Sequence, residues 1–162
     1  MIRIALLAVL LSPVSLQAAD KPELLAVGTT PPSFTLRTLN PKASGMRRAV
    51  LRRTIGKRAK DKSIKLLAIS FYATWCKPCM DAIPRWRALH DKYRDQGLRL
   101  VVVNTRDPDG ACTVPNWTPD EVVCDLDGHI ADSFGVENLP SAFLWSWQGN
   151  LLAQNGHIDD VE

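Results

Sequence analysis

Two nearly unbroken apolar runs organise the middle of the chain, residues 64–72 (I-K-L-L-A-I-S-F-Y) and residues 98–104 (L-R-L-V-V-V-N). Such runs are expected of central strands covered on both faces. Between them Ile83, Trp86, Leu89, His90 and Tyr93 recur at three- and four-residue steps, the period of a helix with one buried face. Pro78 suits the first helical turn, where a missing N–H does little harm, and Gly97 supplies the stop. Pro84 falls inside the helix and is expected to kink it. Strand, helix and strand in succession imply a right-handed crossover and a parallel pair.

Weaker signals flank this unit. Residues 21–32 read as an extended lead-in, and residues 33–39 alternate apolar and polar in the manner of a half-buried strand. Asn40-Pro41 and Ser44-Gly45 mark turns, Val50-Leu51 begins a returning strand, and Gly56 ends a short helical turn. Residues 107–120 hold three prolines and predict irregular structure. Residues 122–124 form a short apolar piece, and residues 129–134 a short helix stopped by Gly135. Residues 141–147 and 151–154 flank the turn Gln148-Gly149-Asn150 as an antiparallel hairpin. The class predicted is α/β with a mixed sheet and an N-terminal strand or hairpin extension.

The first residues change the picture of where this domain works. Arg3 precedes an apolar run at residues 4–11, and small residues around Ala18-Ala19 precede Asp20. That is the build of a secretory signal peptide over residues 1–19, leaving one domain over residues 20–162. The run is short of the roughly 20 apolar residues that a spanning helix needs. A periplasmic or secreted location follows, where cysteines serve as disulfides or redox catalysts. The formal charge is +3, but residues 42–65 carry ten Lys or Arg against Asp61 alone. This segment reads as a solvated edge, with an acidic partner or a membrane surface as the sharper alternative. Nucleic acid is not an expected partner.

The chemistry centres on Cys76-Lys77-Pro78-Cys79. The strand delivers Cys76 to the sheet's edge just where the helix begins, so its thiolate would face unpaired N–H groups and the positive end of the helix dipole. That lowers the thiol's pKa and makes Cys76 the attacking group. Cys79 lies one turn further in and can close or resolve a disulfide. Haem attachment would place His after the second cysteine, where Met80 stands. Zinc would need a second close pair, whereas Cys112 and Cys124 have eleven residues between them. His90, His129 and His157 show no ligand spacing and read as surface or satisfied side chains. Neither metal nor cofactor is expected.

With these residues in view, the chain resembles thioredoxin-like proteins, most closely the exported TlpA/ResA-type thiol–disulfide oxidoreductases. The resemblance runs over residues 27–156. It rests on V-G-T-T-P-P-S-F-T-L, F-Y-A-T-W-C-K-P-C, Pro84 five residues after Cys79, V-E-N-L-P-S-A-F-L-W and the Gln148-Gly149-Asn150 turn. It implies a thioredoxin-like fold, a mixed sheet flanked by helices, and a cis Leu139–Pro140 bond with Pro140 against the cysteine pair. Trp75, Lys77, Pro78 and Leu139 become neighbours of the active site. Trp86 is expected in the core, and Trp117, Trp145 and Trp147 in either core or rim.

Two departures stand out. Relatives place a carboxylate beneath the cysteines at positions that are Ser70 and Ala82 here, while Asp81 points elsewhere on the helix. Relatives also continue into a covering helix, and this chain stops at Glu162, just past Asp159-Asp160, so that helix is expected to be missing or truncated. Cys112 and Cys124 flank a loop in place of a helix that relatives carry. They read as a structural bridge, with a second redox pair as the alternative. The function implied is reduction of protein disulfides outside the cytoplasm, with a disulfide-containing client and an electron-donor redox protein as partners. Two rivals remain. A peroxiredoxin would carry Pro seven residues before Cys76, where Ile69 stands. A non-enzymatic binding module would use C-x-x-C only as a staple.

Overall fold

The structure, a computed structural model, describes residues 25, 28–30, 35–37, 48–50, 54–57, 59–107 and 112–154. Residues 1–19, read above as a signal peptide, much of the basic segment, and the chain after Gln154, where the missing helix was expected, lie outside the described residues. Strands β1 (Thr35–Arg37) and β2 (Arg48–Val50) pair antiparallel, Thr35 opposite Val50. Val50, where the sequence pattern starts a returning strand, lies in β2, and Leu51 lies outside the described residues. The main sheet holds β3 (Leu66–Tyr72), β4 (Leu98–Thr105), β5 (Glu121–Asp125), β6 (Ser141–Ser146) and β7 (Leu151–Gln154). Their order is β5-β4-β3-β6-β7. β4 runs parallel to both β3 and β5, while β6 is antiparallel to β3 and β7.

Helix α1 (Lys77–Tyr93) crosses between β3 and β4 and continues through Pro84 without interruption. Gly97 ends this crossover for a steric reason. Its φ is 102°, and a Cβ there would lie 2.5 Å from the Ser63 carbonyl oxygen. Its own carbonyl accepts from Lys65 and Leu66 N–H, which fixes where β3 starts. A second, short helix, α2 (His129–Ser133), follows β5. Asp125 starts it by accepting the N–H groups of Ile130 and Ala131, each at 2.9 Å. Asp125 lies three residues before the Gly128 N-cap, and its carboxylate satisfies two first-turn N–H groups that have no partner within the helix.

Alternation along the strands divides the core in two. Leu67, Ile69 and Phe71 face Val101, Val103 and an aromatic group of Phe134, Phe143 and Trp145. Ala68 and Tyr72 face the other way, with Leu100 and Val102, beneath Trp86 and Leu89 of α1. Burial of each large side chain contributes about 1.5–3 kcal/mol. Trp145 is fully enclosed, Trp117 is half-buried, and Trp147 is exposed. Among the basic segment's described residues, Lys57, Lys60, Lys62 and Lys65 are exposed. No described helix is long and apolar enough to cross a membrane.

Among the buried titratable groups, Glu121 stands out for having no hydrogen-bond partner at either carboxylate oxygen. It opens β5 opposite Val101 and is 1% exposed. Burial pushes its pKa up, and Arg99 only partly offsets this. The unfolded chain therefore releases this proton at lower pH than the folded one. Stability should fall as pH rises from the ordinary carboxylate range towards the raised value, and stay lower above it. Glu121→Gln should remove that slope and unfold at higher denaturant concentration than the parent at pH 7. Denaturation curves at pH 4, 5.5 and 7 measure both effects.

Candidate active site

β3 ends at Tyr72 and α1 begins at Lys77, so the four residues between them set where Cys76 lies. Cys76 is the N-cap of α1, with φ −84° and ψ 98°, and its Sγ accepts from the Cys79 N–H at 3.3 Å. The two cysteines are joined as a disulfide, Cα to Cα 5.3 Å, and both are buried. Pro78 lies in the first turn, which contains no acidic residue to oppose an anion on Cys76. Unpaired N–H groups and the helix dipole are therefore directed at this sulfur. Lys77 and Asp81 pair at 2.9 Å on the solvent side, both well exposed. A pair so exposed adds little to stability.

The segment before Cys76 is held by the end of β4. Thr74 donates its N–H to Asp107 Oδ2 at 2.9 Å and its hydroxyl to the same oxygen at 2.8 Å. Asn104 Nδ2 donates to that oxygen as well, at 2.8 Å. Trp75 donates its indole N–H to the Arg106 carbonyl at 3.0 Å, yet the residue remains 59% exposed. The sequence reading named Trp75 but missed Thr74, Asn104, Arg106 and Asp107. One signal points to them: polar residues just beyond the carboxyl end of a buried parallel strand occupy the usual site position in an α/β sheet.

The Leu139–Pro140 peptide bond is cis. Pro140 and Cys79 line a small cavity together with Ser70, Tyr72, Val114 and Trp117, with room for about one water molecule. Ala82 also lines it, and none of the lining residues carries a carboxyl group. Tyr72 donates its hydroxyl to the Thr113 carbonyl. Burial, and secondarily the charge of Asp107, push its pKa up to about 12. Tyr72 thus keeps its proton at neutral pH and is no base for Cys79.

Cys112 and Cys124 are also bridged, Cα to Cα 5.2 Å. The bridge ties the start of the 112–120 segment to β5. That segment supplies Thr113, Val114 and Trp117 to the surroundings of Cys79. His90, on the buried side of α1, meets the edge of the Trp117 ring and approaches Asp120 Oδ2 at 3.0 Å. Burial alone would raise the Asp120 pKa. Hydrogen bonds with His90 and the Leu100 N–H, and the charges of His90 and Arg99, more than offset it and hold it below the usual carboxylate range. The structure thus brings Cys76, Cys79, Trp75, Lys77, Pro78 and Pro140 to one sheet edge, with the second bridge beside them. His129 lies exposed near Asp127. Among the described residues no group of His, Cys, Asp or Glu is arranged to hold a metal ion.

The chain is similar to several known proteins. The family model described as the AhpC/TSA family matches residues 27–154. The thiol-disulfide oxidoreductase ResA of Bacillus cereus (strain ATCC 10987 / NRS 248) is 26% identical over 140 residues, covering 83% of this chain and 72% of that protein. ResA of Bacillus subtilis (strain 168) is 31% identical over 110 residues, covering 64% and 60%. Among solved structures, a putative thiol:disulfide interchange protein DsbE from Chlorobium tepidum superimposes with a TM-score of 0.64 at 23% identity, covering 85% of this chain and 92% of that one. A secreted Mycobacterium tuberculosis disulfide oxidoreductase, homologous to E. coli DsbE, gives 0.58 at 19% identity, covering 77% and 84%. These two structures establish the fold. With its cysteine pair at the N-terminus of α1 in a thioredoxin-like sheet, the chain belongs to the AhpC/TSA family and is a thioredoxin-like thiol–disulfide oxidoreductase.

Proposed function

We propose that this enzyme reduces disulfides of client proteins outside the cytoplasm and is itself re-reduced by an electron-donor redox protein. The observation that carries the reading is the division between the two sulfurs. Cys76 caps α1 where an anion is stabilised, and Cys79 lies three residues further on against a small cavity with room for about one water molecule.

The chemistry balances over two exchange steps. In the reduced enzyme the Cys76 thiolate attacks one sulfur of the client disulfide, forming a mixed disulfide and releasing one client thiolate. Cys79 then loses its proton and attacks Cys76 Sγ, which releases the second client thiolate. Two electrons have passed to the client, and the enzyme holds the Cys76–Cys79 disulfide. A donor dithiol returns it to the start. Pro140, against Cys79, bounds the place where the client's sulfur enters, and Trp75 offers an exposed aromatic face beside it. With no carboxyl lining the cavity, the proton of Cys79 passes to water. The Cys112–Cys124 bridge serves as a structural clamp.

The location outside the cytoplasm is supported by the leader pattern of residues 1–19, with residues 20–162 as the exported domain. The peroxiredoxin alternative fits less well, because Ile69 and Ala73, both fully buried, stand where P-x-x-x-[TS]-x-x-C requires Pro and Thr or Ser. The test is a pair of assays on the reduced protein. Reduction of a protein disulfide without consumption of hydrogen peroxide is the expected result. Rapid peroxide consumption without disulfide reduction would overturn it.

A further inference from the structure

Asp107 is the most enclosed acid beside the active site, 1% exposed. Its contacts reach the cysteines through one short segment. Oδ2 accepts from the Thr74 N–H, the Thr74 hydroxyl and Asn104 Nδ2, and Oδ1 lies 3.1 Å from the same hydroxyl. Thr74 stands two residues before Cys76, and the Cys76 N–H closes a turn onto the Ala73 carbonyl at 3.1 Å. The turn that aims Cys76 at the helix N-terminus is thus built on a carboxylate.

Resting on the reductant reading above, we propose that Asp107 is a positioning residue whose fixed negative charge opposes the thiolates and so makes the dithiol a stronger electron donor. The disulfide is neutral and indifferent to that charge, whereas the reduced pair carries an anion on Cys76. A negative charge held nearby in a poorly solvated site therefore costs the reduced state more than the oxidised one. Stabilising the reduced form is what turns such a pair into an oxidant; destabilising it does the opposite. The helix terminus favours the thiolate enough to keep Cys76 reactive, and Asp107 limits how far that goes. The field of Asp107 already registers at Tyr72, which lines the Cys79 cavity.

Among the described residues, several charged groups on the surrounding elements have partners of their own. Lys77 and Asp81 on α1 pair with each other in solvent. Arg106 pairs with Asp132 of α2, donates to the Val136 carbonyl and crosses over Gly128. Asp125 of β5 accepts from Thr105 and from the first turn of α2.

The test uses the full reduced chain, following alkylation of Cys76 against pH and the dithiol–disulfide equilibrium in glutathione buffers. Asp107→Asn keeps an acceptor for the Thr74 N–H and loses the charge. It should lower the Cys76 alkylation midpoint by about one pH unit. Above both midpoints it should shift the equilibrium up to about tenfold towards the dithiol. Thr74→Val keeps the charge and removes a donor that partly neutralises it, so its midpoint should rise. An unchanged or raised midpoint in Asp107→Asn overturns the proposal. So does a fall in Thr74→Val, which would mean that loosening the turn is enough. If Asp107→Asn does not fold, the direction of the Thr74→Val shift decides alone. The midpoints are measurable whether or not the enzyme reduces a client protein, so this inference and the reductant reading fail separately.

Discussion

Cys76→Ser abolishes disulfide reduction, whereas Cys79→Ser stops after half a turnover with the client covalently attached. This contrast is the largest effect expected of the structure. The N-cap position gives the Cys76 sulfur the stabilisation an attacking thiolate needs, and its loss leaves only a buried thiol against a cavity the size of a water molecule. In Cys79→Ser the first exchange still occurs, but nothing then attacks Cys76 Sγ to release the client. Non-reducing electrophoresis followed by mass spectrometry of the adduct measures it. A trapped adduct on Cys79 in the Cys76→Ser protein, or normal turnover by Cys79→Ser, would reverse the assigned roles.

The second large effect is on stability. Replacing both Cys112 and Cys124 by Ser should lower unfolding free energy by about 3 kcal/mol, the loop-entropy value for a closed segment of this length. The cost should also be felt at the site. The 112–120 segment presents the Thr113 carbonyl to Tyr72 and places Val114 and Trp117 on the cavity wall against Cys79. Freed at one end, that wall should admit water, and Cys79 in the reduced variant should alkylate faster than in the parent. Denaturant unfolding with Cys76–Cys79 oxidised in both proteins isolates the stability term. A double variant as stable as the parent, with Cys79 equally protected, would show that the bridge clamps nothing.

Much of the frame was readable from the sequence because its signals are local. The apolar runs at residues 64–72 and 98–104 became β3 and β4, and Gly97 ended the crossover because a Cβ there would collide with the Ser63 carbonyl and with Lys65. The cysteine pair was readable for the same reason, since strand, C-x-x-C and helix are consecutive. What escaped depends on partners distant in sequence. Asp107 reads as the first residue of an irregular loop until the fold brings it to Thr74, 33 residues away. Glu121 reads as a polar break before a short apolar piece, yet the parallel pairing of β5 with β4 carries it into the core opposite Val101. His90 fits a helical period that cannot say whether a histidine is buried, and the answer comes from Asp120, 30 residues on. The tryptophans sort by strand geometry. Trp145 points into the core from β6, but that strand ends at Ser146, so Trp147 enters the turn and faces out.

The central claim is that the two sulfurs differ in kind before any client arrives. It is tested most directly by reducing the protein, alkylating with iodoacetamide across a range of pH, and reading each cysteine separately by mass spectrometry. Cys76 should react with a midpoint below the ordinary thiol value of about 8.5, while Cys79 stays protected until well above it. Equal midpoints for the two, or earlier reaction at Cys79, would contradict the account.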